Sequence, residues 1–194
     1  MDEWRCVQGG AMRLRFLRCI DQAKHVMPND GRLVMEVEIV AGDLLDQATE
    51  CIVNPWNRNL IPWWLLRPHG VSGAIKKRGG VRPFQELRQK GPIRLGEAVH
   101  TSAGRLPYRR IIHVASIDLW GRSSAAIIQP AVKNAMLLAE QLTLDSLAFP
   151  VLGTGSGQVA QQTGENAMLE TFATINSPIQ VVIVRYAQST QGRD

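Results

Sequence analysis

A short apolar run that opens into glycines at alternate positions constrains this chain more than any other feature. It reads Ser146-Leu147-Ala148-Phe149-Pro150, then Val151-Leu152-Gly153-Thr154-Gly155-Ser156-Gly157. A helical pattern stands on each side of it. Val132, Ala135, Met136, Ala139 and Leu142 mark one face from i to i+10, behind Pro130, which suits a first helical turn. Met168, Leu169, Phe172 and Ile175 mark a second face. A buried strand between two helices predicts an α/β sheet with helices on its faces, whose ligand loops lie outside the carboxyl ends of the strands. Alternate glycines let the backbone take positive φ and turn several N–H groups toward one anion. The loop is not a Walker A loop, because no Gly-Lys-Ser/Thr follows. It also departs from G-x-G-x-x-G, because Gln158 stands where the third glycine belongs.

The remaining segments fit the same plan. Met12–Leu17 and Leu33–Val40 alternate as strands do, with the turn cluster Pro28-Asn29-Asp30-Gly31 between them, and are expected to pair at a sheet edge. Cys51–Asn54 reads as a buried strand, Glu97–Thr101 and Arg110–Ala115 as two more, and Ile179–Val184 as the last. Gly73–Arg78 and Pro83–Gln89 read as short helices. Residues 1–33 are taken as an N-terminal extension with an edge strand, and 34–194 as the domain proper. A second loop of interest follows Ile52-Val53. It begins Asn54-Pro55-Trp56-Asn57 and passes through Asn59–Leu66, apolar at seven of eight positions and read as buried core or as a lid. It ends Arg67-Pro68-His69-Gly70-Val71-Ser72-Gly73.

Charge is unevenly placed. Residues 58–110 hold twelve Lys or Arg and two acids, a net of +10, while the other 141 residues sum to −5. That asymmetry suits an anionic partner, either a nucleic acid or a phosphorylated small molecule. The three cysteines (Cys6, Cys19, Cys51) are widely spaced and form no C-x-x-C, and the four histidines lie 11 or more residues apart. No disulfide framework, no metal site and no cofactor are therefore expected, and the setting expected is a reducing cytoplasm. No run approaches the ~18 apolar residues of a membrane span, so no membrane partner is expected either.

Five motifs in order resemble the macrodomain family, the modules that bind ADP-ribose. They are Val40-Ala41-Gly42-Asp43-Leu44, Ile52-Val53-Asn54-Pro55-Trp56-Asn57, Gly70-Val71-Ser72-Gly73-Ala74-Ile75, Ile111-Ile112-His113-Val114 and Phe149–Gly155. The likeness covers about residues 34–186. It implies a three-layer α/β/α sandwich with a central mixed, largely parallel sheet. It implies that Asp43 accepts from the adenine amine, that the Leu44 backbone holds the same ring, and that Asn57 contacts the distal ribose. Gly70, Val71, Ser72 and Gly73 would lie against the diphosphate and distal ribose, and Gly153, Thr154, Gly155, Ser156 and Gly157 would bind phosphate. Tyr186, or Arg185 one residue before it, matches the aromatic that packs on adenine, and His113 matches a structural histidine.

The departures bear on catalysis. Pro68-His69-Gly70-Val71 replaces the family's Gly-Gly-Gly-Val, and Ser72 stands where many hydrolytic members carry an aspartate. Lys76 and Lys77 read as solvated helix charges. Two functions follow from the resemblance: hydrolysis of ADP-ribosylated substrates at the distal ribose, with Asn57 and His69 as the catalytic pair, or recognition of ADP-ribose without catalysis. A nucleic-acid-binding module built on residues 58–110 is a third, although no zinc finger, basic helix or RNA-recognition aromatic pattern is present. The partner expected is ADP-ribose, free or on a protein or nucleic acid, and the chain is expected to be a monomer.

Overall fold

The computed structural model describes residues 23–26, 35–58, 60 and 70–186. Seven strands are present among them: β1 (Ala23–Val26), β2 (Glu36–Gly42), β3 (Cys51–Trp56), β4 (Ala98–Thr101), β5 (Arg110–Ala115), β6 (Ser146–Pro150) and β7 (Gln180–Tyr186). The helices are α1 (Gly70–Gly79), α2 (Arg82–Gln89), α3 (Ala125–Gln141) and α4 (Gln161–Phe172), with a 3-10 turn at Leu44–Asp46. The sheet order is β1-β2-β7-β6-β3-β5-β4. The five inner strands run parallel, and β1 and β4 are antiparallel edges. This is the mixed, largely parallel sheet that the resemblance implied.

Burial on both faces explains why the inner strands read as continuous apolar runs. Val37, Ile39, Val53, Ile112, Phe149 and Ile183 pack under α3 and α4, with Phe149 meeting Phe172 edge to face at 5.4 Å between ring centroids. Ile52, Ile111, Ala148 and Val184 pack under Ile75 of α1, Phe84 and Leu87 of α2, and Leu44 and Leu45. Helices, sheet and helices form the three layers. Among the described residues no helix is long and apolar enough to cross a membrane.

Several boundaries move from where the sequence put them. α3 begins at Ala125 behind the N-cap residue Ser124, so Pro130 sits inside the helix rather than opening it. Its ring rests where a side chain at Gly96 would stand, with Cγ 3.0 Å from an added Cβ. α1 starts at Gly70, three residues before the expected Gly73, and α4 starts at Gln161, ahead of its apolar face. Gly164 allows that early turn, because a Cβ there would lie 2.7 Å from the Leu152 carbonyl oxygen. β1 forms from Ala23–Val26. Met12–Leu17, the Pro28–Gly31 cluster, Asn59 and Ile61–His69 lie outside the described residues, and Leu60 is 46% exposed.

Candidate functional site

Parallel strands send their carboxyl ends to one edge, so the loops after β2, β7, β6, β3 and β5 line up there in that order. Four strand spacings separate the first from the last, about 19 Å. Gly42 of β2 stands in register with Tyr186 of β7, so Asp43 emerges beside Tyr186. The neighbouring β6 releases the Val151–Gly157 loop, β3 releases Asn57, and β5 releases Ser116–Ser123. Among the residues implied as site residues, all but His69 lie at this edge, on the loops or at the start of α1. His69 lies outside the described residues.

At the β2 end, Asp43 begins the 3-10 turn in extended conformation, and its Oδ1 accepts the Leu45 N–H at 2.8 Å. Tyr108, pushed up to a pKa of about 12 by burial, donates from its hydroxyl to the carbonyls of Leu44 (3.3 Å) and Gln47 (3.2 Å) and so fastens the turn to the core. Leu44 is only 6% exposed, yet its N–H donates to no acceptor among the described residues. A donor without an acceptor thus stands next in the chain to a carboxylate, the two halves of a donor–acceptor pair. Tyr186 is 79% exposed. Arg185 leaves the opposite face of β7, where its Nε (2.9 Å) and Nη2 (2.8 Å) donate to Glu165 of α4. The two residues that sequence alone left as alternatives are thus separated by the sheet.

The glycine loop after β6 is held from behind. Gly153 has φ +82°, and its carbonyl accepts the Val159 N–H at 3.0 Å. A Cβ at Gly157 would lie 2.6 Å from both Gly153 O and Ser123 Cβ. The Ser123 N–H donates to Gly157 O at 3.1 Å, which pins the β5–α3 connection to this loop. Gly155, by contrast, faces open space. Among the described residues the N–H groups of Gly153, Thr154, Gly155, Ser156 and Gly157 donate to nothing. The N-terminus of α1, Gly70–Gly73, adds the free N–H groups of a first helical turn.

The β3 end is organised differently. Asn54 and His113 stand in register on neighbouring strands, both fully buried on the α1/α2 face. Ser72 Oγ donates to Asn54 Oδ1 at 2.9 Å, and Asn54 Nδ2 lies 3.0 Å from His113 Nδ1. His113 Nε2 lies 2.8 Å from Thr101 Oγ1, which donates to Ser102 O at 3.0 Å. The amide nitrogen is a donor, so Nδ1 must accept and the proton sits on Nε2. Every hydroxyl and amide then has a partner, in one direction along the chain. Burial pushes the His113 pKa down to about 3, so the ring is neutral. Ser72 is 7% exposed and its hydroxyl proton is directed inward. Asn57 is half-buried just beyond.

Asn54, within the Ile52–Asn57 motif, has no role legible from the sequence alone. The available signal was one polar residue in each of two apolar runs, Cys51–Asn54 and Ile111–Val114. Among the described residues no three His, Cys, Asp or Glu side chains gather as metal ligands would.

Fold and site define a class, the α/β/α sandwich whose carboxyl edge is lined by glycine loops. The Macro domain family model matches residues 53–168, and the chain belongs to that family. An uncharacterized protein of Mycobacterium tuberculosis is 36% identical over 128 residues, covering 66% of this chain and 34% of that protein. The chain thus spans about a third of the length of the first curated relatives it matches. An uncharacterized protein of Pyrobaculum aerophilum is 32% identical over 162 residues, 79% of this chain and 86% of the relative. A mutant of the Oceanobacillus iheyensis macrodomain, solved with ADPR, matches with a TM-score of 0.73 at 26% identity, over 87% of this chain and 91% of that one.

Proposed function

We propose that this chain binds ADP-ribose along the carboxyl edge of its sheet. The observation that carries the reading is the order along that edge of an exposed carboxylate, an exposed ring and a run of free N–H groups. Asp43 and the Leu44 N–H match the amine and the adjacent ring nitrogen of adenine, an acceptor for a donor and a donor for an acceptor. Tyr186 offers a ring face to the same base. The five free N–H groups of Gly153–Gly157, with the start of α1 at Gly70, Val71, Ser72 and Gly73, suit a diphosphate. Asn57 then meets the distal ribose. The solved Oceanobacillus iheyensis relative carrying ADPR supports the same ligand.

For catalysis, Asn57 would hold the distal ribose while His69 carries the proton to or from the bond being cut. The Ser72 hydroxyl is directed into Asn54 and supplies neither charge nor base. That observation favours recognition without turnover as the second reading, because general acid–base assistance contributes ~100- to 10,000-fold where it operates. The modified target, protein or nucleic acid, would sit past the distal ribose.

Calorimetry with ADP-ribose tests the first reading. Asp43→Ala is expected to weaken binding by more than ~1 kcal/mol, because the lost acceptor is charged. Unchanged affinity removes Asp43 from the site. A hydrolysis assay on ADP-ribosylated protein separates the catalytic readings. If His69 works as proposed, His69→Ala lowers turnover sharply while affinity stays within a few fold.

A further inference from the structure

Arg78 stands in the last turn of α1, where helix geometry alone asks only for a cation near the C-terminus. Its guanidinium instead reaches back to the 3-10 turn and meets three acceptors. Nη2 donates to Asp46 Oδ1 at 2.8 Å and to the Leu45 carbonyl at 3.0 Å, and Nη1 lies 3.4 Å from Asp43 Oδ2. The other Asp43 oxygen accepts the Leu45 N–H. Each oxygen of the Asp43 carboxylate therefore faces a donor fixed by the fold. The long Arg78 contact leaves Oδ2 free to accept a second, shorter bond, since a carboxylate oxygen takes more than one donor. Without Arg78, Asp43 and Asp46 would share one turn as two carboxylates with no cation between them among the described residues.

We propose that Arg78 is a positioning residue for base selection: it holds the Asp43 carboxylate as an acceptor aimed at an exocyclic amine. The inference rests on the reading that Asp43 and Leu44 take the edge of adenine. Hypoxanthine reverses both groups on that edge, placing a carbonyl against the carboxylate and an N–H against the Leu44 N–H. A carboxylate fixed in place penalises that base, whereas a loose one turns away. A lysine at this position keeps the charge but loses the fork that spans Asp43, Asp46 and the Leu45 carbonyl.

The test is calorimetry with ADP-ribose and its hypoxanthine analogue on the wild type, Arg78→Ala, Asp43→Ala and the double variant, with thermal melting alongside. Arg78→Ala is expected to lower ADP-ribose affinity about fivefold, the upper end for a partly exposed ion pair. Affinity for the analogue should stay within twofold, so discrimination narrows. In the Asp43→Ala background the Arg78 change should have no further effect. Equal losses for both ligands, or a further loss in the Asp43→Ala background, would overturn the proposal and place Arg78 in phosphate binding or in folding. If Arg78→Ala melts early, Arg78→Lys takes its place and is expected to show a smaller loss of discrimination; full wild-type discrimination in it would refute the role of the fork. A null result for Asp43→Ala itself would instead remove the adenine reading, and the two failures are told apart by that one variant.

Discussion

The two ends of the carboxyl edge use similar residues to opposite effect. At the β2/β7 end, Asp43 and the Leu44 N–H sit on a turn beyond the last strand residue, and their bonding capacity is left over for a ligand. At the β3/β5 end, Asn54 and His113 sit within the strands, and Ser72 within a helix, so their bonds close on one another. The difference follows from depth. A polar group buried without a partner costs roughly 1–3 kcal/mol, so a group inside the sheet must be satisfied by the fold. The side chain of Asp43 is 47% exposed and carries no such requirement. A polar residue one position past a strand can serve a ligand; one two positions before the end serves the fold.

Asn54→Ala is expected to break that comparison most visibly. It strands the Ser72 hydroxyl and the Nδ1 of His113 together, at a cost of about 4 kcal/mol in urea unfolding, taking the two unpaired groups at the middle of their range. Asp43→Ala, which removes an exposed side chain and one turn bond, should cost less than about 1 kcal/mol in stability while weakening the ligand. If the two variants lose equal stability, the contrast between the ends is wrong.

The same contrast sets what the sequence reveals. Strand cores were legible because burial on both faces leaves an apolar run, as in Phe149 or Ile112. The glycine loop was legible because Gly153, with φ +82°, admits few alternatives. Helix starts were not. α1 begins on a glycine and α4 on three exposed residues, 161–163, ahead of its apolar face, and α3 begins five residues before Pro130, whose ring packs on Gly96. The family motifs located Asp43, Asn57 and both glycine loops along the chain. Whether a given polar side chain in those motifs faces outward or inward depends on partners 59 residues away in the chain, as for Asn54 and His113. Local pattern carries none of that.

His113 gives the next largest effect, through pH. Burial holds its ring neutral, with the pKa moved from 6.5 to about 3. Between those values the unfolded chain binds a proton that the folded chain does not. Stability is therefore complete above about pH 6.5 and falls on acidification, by up to ~1.4 kcal/mol per pH unit. His100, also lowered by burial, adds to the same window, whereas the carboxylates Glu50, Glu86 and Glu165, lowered by their hydrogen bonds, contribute only in a more acidic one. Urea unfolding at pH 7, 6 and 5 should show the slope, and His113→Gln should flatten it. An unchanged slope would move the effect to His100.

Two glycines sharpen the comparison within one loop. Gly157→Ala drives a methyl into Gly153 O and Ser123 Cβ, and is expected to cost about 1.5 kcal/mol in stability. Gly155→Ala meets nothing within 4 Å and should fold as the wild type does. Its methyl would nevertheless enter the open space beside the loop in which the diphosphate is proposed to lie, so ADP-ribose affinity should drop. A Gly155→Ala protein that binds normally would place the diphosphate elsewhere along the edge.

Tyr186 carries the smallest expected change and the cleanest one. Its ring is 79% exposed, so replacing it removes little from the folded protein without ligand. Stacking on a base is expected to contribute about 1 kcal/mol, and Tyr186→Ala should weaken ADP-ribose about fivefold with the unfolding midpoint unmoved. Arg185→Ala is the contrasting variant. It leaves the buried Glu165 carboxylate without its guanidinium, so its effect should appear in stability, with base discrimination retained. If instead Arg185→Ala alters adenine preference and Tyr186→Ala does not, the base lies on the α4 side of β7, and the β2/β7 end presents the ligand with its other face.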